Sequence, residues 1–173
     1  MSAQTRYGFS TPIGAAGGIV DLAPYAIDTF LNEENTGVMK FGIGVVCGTK
    51  KGVNVKKPVA ASTAADFVGI SVNNRTTEYD MEGVVHIRKD KAMGVMAYGR
   101  VYGRVKTGVT PAFGDAVYMV VSGDEAGYFS NSADDGIAIK ARFMGAVDSS
   151  NKVAEIELFN QAQEVPAPES EED

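Results

Sequence analysis

The sequence has a single cysteine, Cys47, a single histidine, His86, and no tryptophan in 173 residues. A lone cysteine excludes an intrachain disulfide, and one Cys with one His cannot complete a structural zinc site. Any Ser-His-Asp or Cys-His catalytic set would have to use His86. Its same-face strand neighbours Val84 and Arg88 supply no carboxylate to orient a base. No stretch approaches the roughly 18 apolar residues of a membrane helix, and the leading MSAQTRYGFSTPIGAAGG lacks the apolar centre of a secretion signal. These absences predict a soluble, unsecreted protein with no cofactor, no metal and no membrane partner.

The motifs that suggest chemistry are each defective. Gly42-Ile-Gly44-Val-Val-Cys47 begins like a dinucleotide fingerprint, but Cys stands where the third Gly belongs and no helix follows to receive a phosphate. Gly69-Ile-Ser71-Val-Asn73 breaks the hydrolase elbow and runs along a strand pattern. Asp124-Glu125 and Asp134-Asp135-Gly136 lack the alternating ligands of a calcium loop and read as turns. The sequence therefore predicts no enzyme.

Glycine, by contrast, is abundant: twenty in 173 residues, falling between short apolar runs rather than in a repeat. That pattern predicts many strands joined by turns. Strand patterns occur at 38–47, 67–72, 83–89, 94–106, 115–121, a short YFS, 137–147 and 152–159, and 50–58 reads as a basic turn with a Val-Asn-Val alternation. Only 61–67 (ASTAADF) and Pro24 to Leu31, with Asp21 as a cap, suit a short helical turn. The expected fold is all-β, a small barrel or jelly-roll-like sandwich of about eight strands.

Three parts are expected: an arm at 1–36, the β domain at 37–162 and a disordered acidic tail at 163–173. The tail (QEVPAPESEED) holds five acids, no base and two prolines. The arm carries Tyr7, Phe9, Ile19, Tyr25 and Phe30, too many large apolar residues for a solvated leader. It either folds back over the core or orders on a partner. Residues 37–162 hold fifteen Lys/Arg against thirteen Asp/Glu, a balance that argues against direct nucleic-acid binding.

The most informative run is GVMAYGRVYGRVK at 94–106. In an extended strand successive side chains alternate, so Val95, Ala97, Gly99, Val101, Gly103 and Val105 form a small apolar stripe suited to a core. Met96, Tyr98, Arg100, Tyr102 and Arg104 form the other face, and Tyr with Arg is the composition of protein-holding surfaces. Tyr98, Arg100, Tyr102 and Arg104 are the candidate oligomer interface, and the five arm residues are candidate docking contacts.

The runs NEENTGVMKFGIGVVCGT, GVMAYGRVYGRVKTGV, FGDAVYMVVSGDEAGYFSN and GAVDSSNKVAEIELFNQ, taken in order, resemble the structural cement, or decoration, proteins of tailed-bacteriophage capsids over about residues 7–162. The resemblance implies a homo-oligomer, dimer or trimer, on the outside of an icosahedral shell, made in the host bacterial cytoplasm. It implies the major capsid protein as partner, neighbouring subunits bridged, and the shell strengthened against packaged DNA. The resemblance carries over no catalytic residue. A tail or fibre β domain that binds a receptor or glycan is the alternative.

Overall fold

A computed structural model describes residues 14–21, 23–73, 87–148 and 152–159. Nine strands make one continuous hydrogen-bonded system: β1 (Ala26–Asn32), β2 (Gly44–Cys47), β3 (Asn54–Lys56), β4 (Phe67–Ser71), β5 (Ala92–Arg104), β6 (Ala116–Val120), β7 (Phe129–Ser130), β8 (Gly136–Phe143) and β9 (Val153–Leu158). The all-β expectation is met with one strand more than predicted. Among the described residues, two single turns of 3₁₀ helix, Ala64–Asp66 and Ala133–Asp135, are the helical content. The first falls inside the expected 61–67 stretch.

The strand order is β1-β3-β2-β4-β5-β9-β8-β6-β7, and β1 also pairs with β5. That extra pairing closes β1, β3, β2, β4 and β5 into a barrel. Beyond it, β9, β8, β6 and β7 curl round from the far half of β5. Phe129 of β7 comes back to Val105 by a bridge, and the Lys106 N–H donates to the Phe129 carbonyl at 2.9 Å. Closure leaves few free strand edges, the feature that otherwise invites uncontrolled pairing.

Two cores follow from the two lobes. Met39, Ile43, Val45, Val55, Ile87, Met93 and Val95 fill the first barrel. The second core centres on Phe129 and Phe143, with Val101, Val105, Ile156 and Leu158 among those around them. Val46, Phe67, Ile70 and Met96 join it from the first barrel's strands and so fuse the lobes. Each fully buried Phe or Ile contributes about 1.5–3 kcal/mol of burial free energy.

The long strand β5 serves both lobes, and this required a change of face. Val95 belongs to the first core, whereas Met96 and Val101 both belong to the second. The register against β1 slips between Ala26 and Ile27, which face Tyr98 and Met96, so Ala97 is an extra residue. Gly99 follows at φ +117°, a conformation reserved for glycine. Met96, on the Tyr/Arg face under unbroken alternation, is therefore fully buried.

The described part of the leading segment folds back along β5. Gly17 N–H donates to the Tyr102 carbonyl, Tyr102 N–H to Gly18, and Val20 N–H to Arg100, at 2.8–3.2 Å. After a turn in which Asp21 Oδ1 accepts from Ala23 N–H at 3.0 Å, β1 pairs antiparallel with residues 92–98. The helix expected from Pro24 to Leu31 is thus a strand. Local signals favour one helical turn, but a six-residue pairing with β5 satisfies far more backbone groups. Residues 83–86 of the expected 83–89 strand lie outside the described residues, as do His86, Tyr7, Phe9 and the tail; Ile87 and Arg88 are not in a strand.

Candidate interaction surface

Past Gly99 the outward stripe of β5 faces charged partners on β9. Register places Arg100 beside Glu157 and Tyr102 beside Glu155. Arg100 Nε donates to Glu157 at 3.2 Å, while Nη1 lies 3.8 Å from Glu155 and 3.6 Å from Asp21. From β8, Arg142 Nε reaches the other Glu157 oxygen at 2.6 Å. Burial pushes Glu157 up, but hydrogen bonds from Arg142 and Arg100 outweigh it and hold the carboxyl below its usual range. The bond to Glu157 likewise raises Arg100. Glu155 is raised by desolvation, despite the nearby guanidinium. Glu157 is thus an ionised anchor that fixes two arginines in one orientation.

Around this network lies a set of aromatic rings that the fold leaves in solvent. The Arg142 guanidinium stands over the rings of Phe113 and Phe159, 5.9 and 5.7 Å from their centroids. Phe113 is 67% exposed, and Tyr25, Tyr98 and Phe159 are each above 40%. Tyr25 lies on Gly99, where an added Cβ would come within 2.6 Å of Tyr25 Cβ. Between the rings a cleft of about 230 Å³ is lined by Pro24, Tyr98, Arg100, Arg142 and Phe159. Exposed rings with oriented arginines are the side-chain set that carries most binding energy in protein interfaces. Tyr98, Arg100 and Arg142 sit on β5 and β8, while Tyr25 and Phe159 directly flank β1 and β9 and Phe113 lies in the turn before β6.

Of the four expected interface residues, Tyr98 faces solvent within this surface and Arg100 forms its floor. Tyr102 instead lies against Gly14 and Gly18, and Arg104 Nε donates to the Phe41 carbonyl at 2.9 Å. Of the arm residues, Tyr25 joins the aromatic surface. Ile19 is exposed beside Val101 on the outer edge of β5, and Phe30 is partly buried against the first core. Phe113, Arg142 and Phe159 went unnoticed in the sequence. They are far apart along the chain: the pairing of β8 with β9 brings Phe159 to Arg142, and the Gly114 N–H bond to the Phe143 carbonyl brings Phe113. Among the described residues no group of three or more His, Cys, Asp and Glu side chains is arranged to hold a metal ion. No described helix is long and apolar enough to cross a membrane.

A rigid all-β body carrying such a face has the form of a protein-holding module. The family of structural cement proteins (E217 gp24/Pam3 gp6) matches residues 3–159, and the chain belongs to that family. Its role is structural, in the phage capsid, and it associates with capsid proteins in the virion. A chain of "The capsid of Myoviridae Phage XM1" has the same fold, with a TM-score of 0.68 and 17% identity over 94% of this chain and 100% of that one. No curated protein matches.

Proposed function

We propose that this protein decorates the outer surface of the phage shell and bridges neighbouring major capsid subunits, so that the shell withstands the pressure of packaged DNA. The observation that carries this reading is the continuous face of Tyr25, Tyr98, Phe159, Arg142 and Phe113, exposed on a rigid closed framework. This face meets the shell. Tyr7 and Phe9 extend the contact from the leading arm, and Ile19, on the edge of β5, adds to it. Copies of the chain associate with one another, and repetition on a lattice adds avidity to modest single contacts.

Replacing Tyr98, Phe113 and Phe159 together by Ser tests the assignment. All three are exposed, so the fold is retained, and interface anchors lose about 2 kcal/mol or more apiece. Sedimentation with emptied shells should then show binding reduced by at least 100-fold. Binding equal to wild type would refute the face, and loss on removing residues 1–13 alone would move the contact to the arm.

A further inference from the structure

The two lobes carry opposite charge, and the division follows β5. The described residues up to 106 hold eleven Lys/Arg against six Asp/Glu, whereas those from 107 on hold three against eight. The near-balance of the whole domain conceals this. The fold concentrates it at the two ends of one strand. At the start of β5, the turns 48–53 and 88–91 flank the end of β1: Leu31 N–H donates to the Val53 carbonyl at 2.9 Å and Asn32 N–H to Lys91 at 3.0 Å. Lys50, Lys51, Arg88, Lys89 and Lys91 therefore lie around exposed Leu31 and Val53, with Glu33, Glu34, Asp66 and Asp90 as the nearby acids. Glu33 is already occupied by the Thr49 N–H and hydroxyl, at 2.6 and 2.8 Å. Lys50, Lys51, Lys89 and Lys91 form no ion pair among the described residues.

At the other end of β5 the sign reverses. Lys106 pairs with Asp135, and the Thr107 hydroxyl donates to Glu125 at 2.6 Å. These contacts bring the turn at 122–127 and the loop at 131–135 to the end of the strand, with exposed Asp124 and Asp134. Asp148 is in the same region, through the bond from Val105 N–H to the Lys152 carbonyl. Five carboxylates thus face Lys106 and Lys152, a surplus of three negative charges. The basic end sets its lysines against Glu33, Glu34, Asp66 and Asp90, and Lys50, Lys51, Lys89 and Lys91, which form no ion pair among the described residues, give it the opposite sign. Thirteen strand residues, roughly 40 Å, separate the two ends.

We infer that the basic end of one copy, with Leu31 and Val53 at its centre, docks on the acidic end of a second copy, so that the chain associates head to tail. Opposite charge at the two ends makes like ends repel and unlike ends attract. A head-to-tail contact uses two different patches and extends into a ring or a row. It leaves the aromatic face of each copy free for the shell, and its failure would leave the shell-binding reading standing.

Sedimentation of the full chain at low salt, about 20 mM, and at about 500 mM tests the contact, because screening shortens the reach of surface charges. Association should appear at low salt and vanish at high salt. Lys50→Glu with Lys51→Glu gives a protein with two acidic ends, and Asp124→Lys with Asp134→Lys gives one with a neutralised-to-basic second end. Each should be monomeric alone, and an equimolar mixture should associate again. Wild-type association that ignores salt, or a mixture that stays monomeric, overturns the proposal. So does association abolished by removing residues 163–173 alone, since the acidic tail would then be the occupant.

Discussion

Gly99→Ala probes the joint on which the interaction surface is built. The new Cβ would stand 2.6 Å from Tyr25 Cβ and 3.2 Å from Tyr25 Cα, so the leading segment must move rather than one flexible side chain. Two penalties add. Forcing alanine to φ +117° costs about 1–3 kcal/mol, as for other strained backbone positions. Overpacking against Tyr25 costs a further 1–3 kcal/mol or so. A total of about 2–6 kcal/mol is expected from urea unfolding by linear extrapolation. Repeating the substitution in a Tyr25→Gly background separates the two, because removing Tyr25 Cβ relieves the contact and leaves the dihedral strain. The coupling should be about 1–3 kcal/mol. A loss below about 0.5 kcal/mol, or no coupling, would refute the packing of the arm on Gly99 and the two-lobed role of β5.

Glu157→Gln should lower stability by less than about 1 kcal/mol, because both arginines it holds are a third or more exposed. It should nonetheless weaken shell binding by freeing Arg142 from its place between Phe113 and Phe159, measurable by sedimentation with shells. Phe129→Ala removes a fully buried ring at the seam between β7 and β5 and should cost about 3–5 kcal/mol in urea unfolding. Acid should destabilise the fold. Glu33, Asp66, Asp115, Asp135 and Glu157 are all held below their usual range, so the stability they contribute is present above about pH 4 and is lost as pH falls through their folded values. Glu155, raised by burial, acts in the opposite sense but alone. Calorimetry from pH 7 to pH 3 should show a falling Tm, and a rising one would contradict this balance.

Much of the β domain was legible because apolar alternation and glycine punctuation report directly on strands. The run at 94–106 became a strand from Ala92 to Arg104, and Val101, Gly103 and Val105 of its small stripe are buried. The change of face at Ala97 was not legible, since alternation continues through it and only the partner β1 shows the extra residue. β1 itself was hidden by Pro24 and the glycines before it, which read locally as loop, whereas its pairing partner lies about seventy residues on. Tyr98 was found as a surface residue from composition. Phe113, Arg142 and Phe159 share no period and meet only through the register of β8 with β9 and the bond from Gly114 to Phe143. The charge polarity is not legible in the sum over residues 37–162, where the two signs nearly cancel.

The most direct test of the central claim is an electron-microscopy map of the assembled particle that includes this chain. The chain should appear on the outside of the shell, across a junction between neighbouring major capsid subunits, with Tyr98, Phe113 and Phe159 turned toward them. A chain on the inner surface, or one whose aromatic face points away from the shell, would contradict the account.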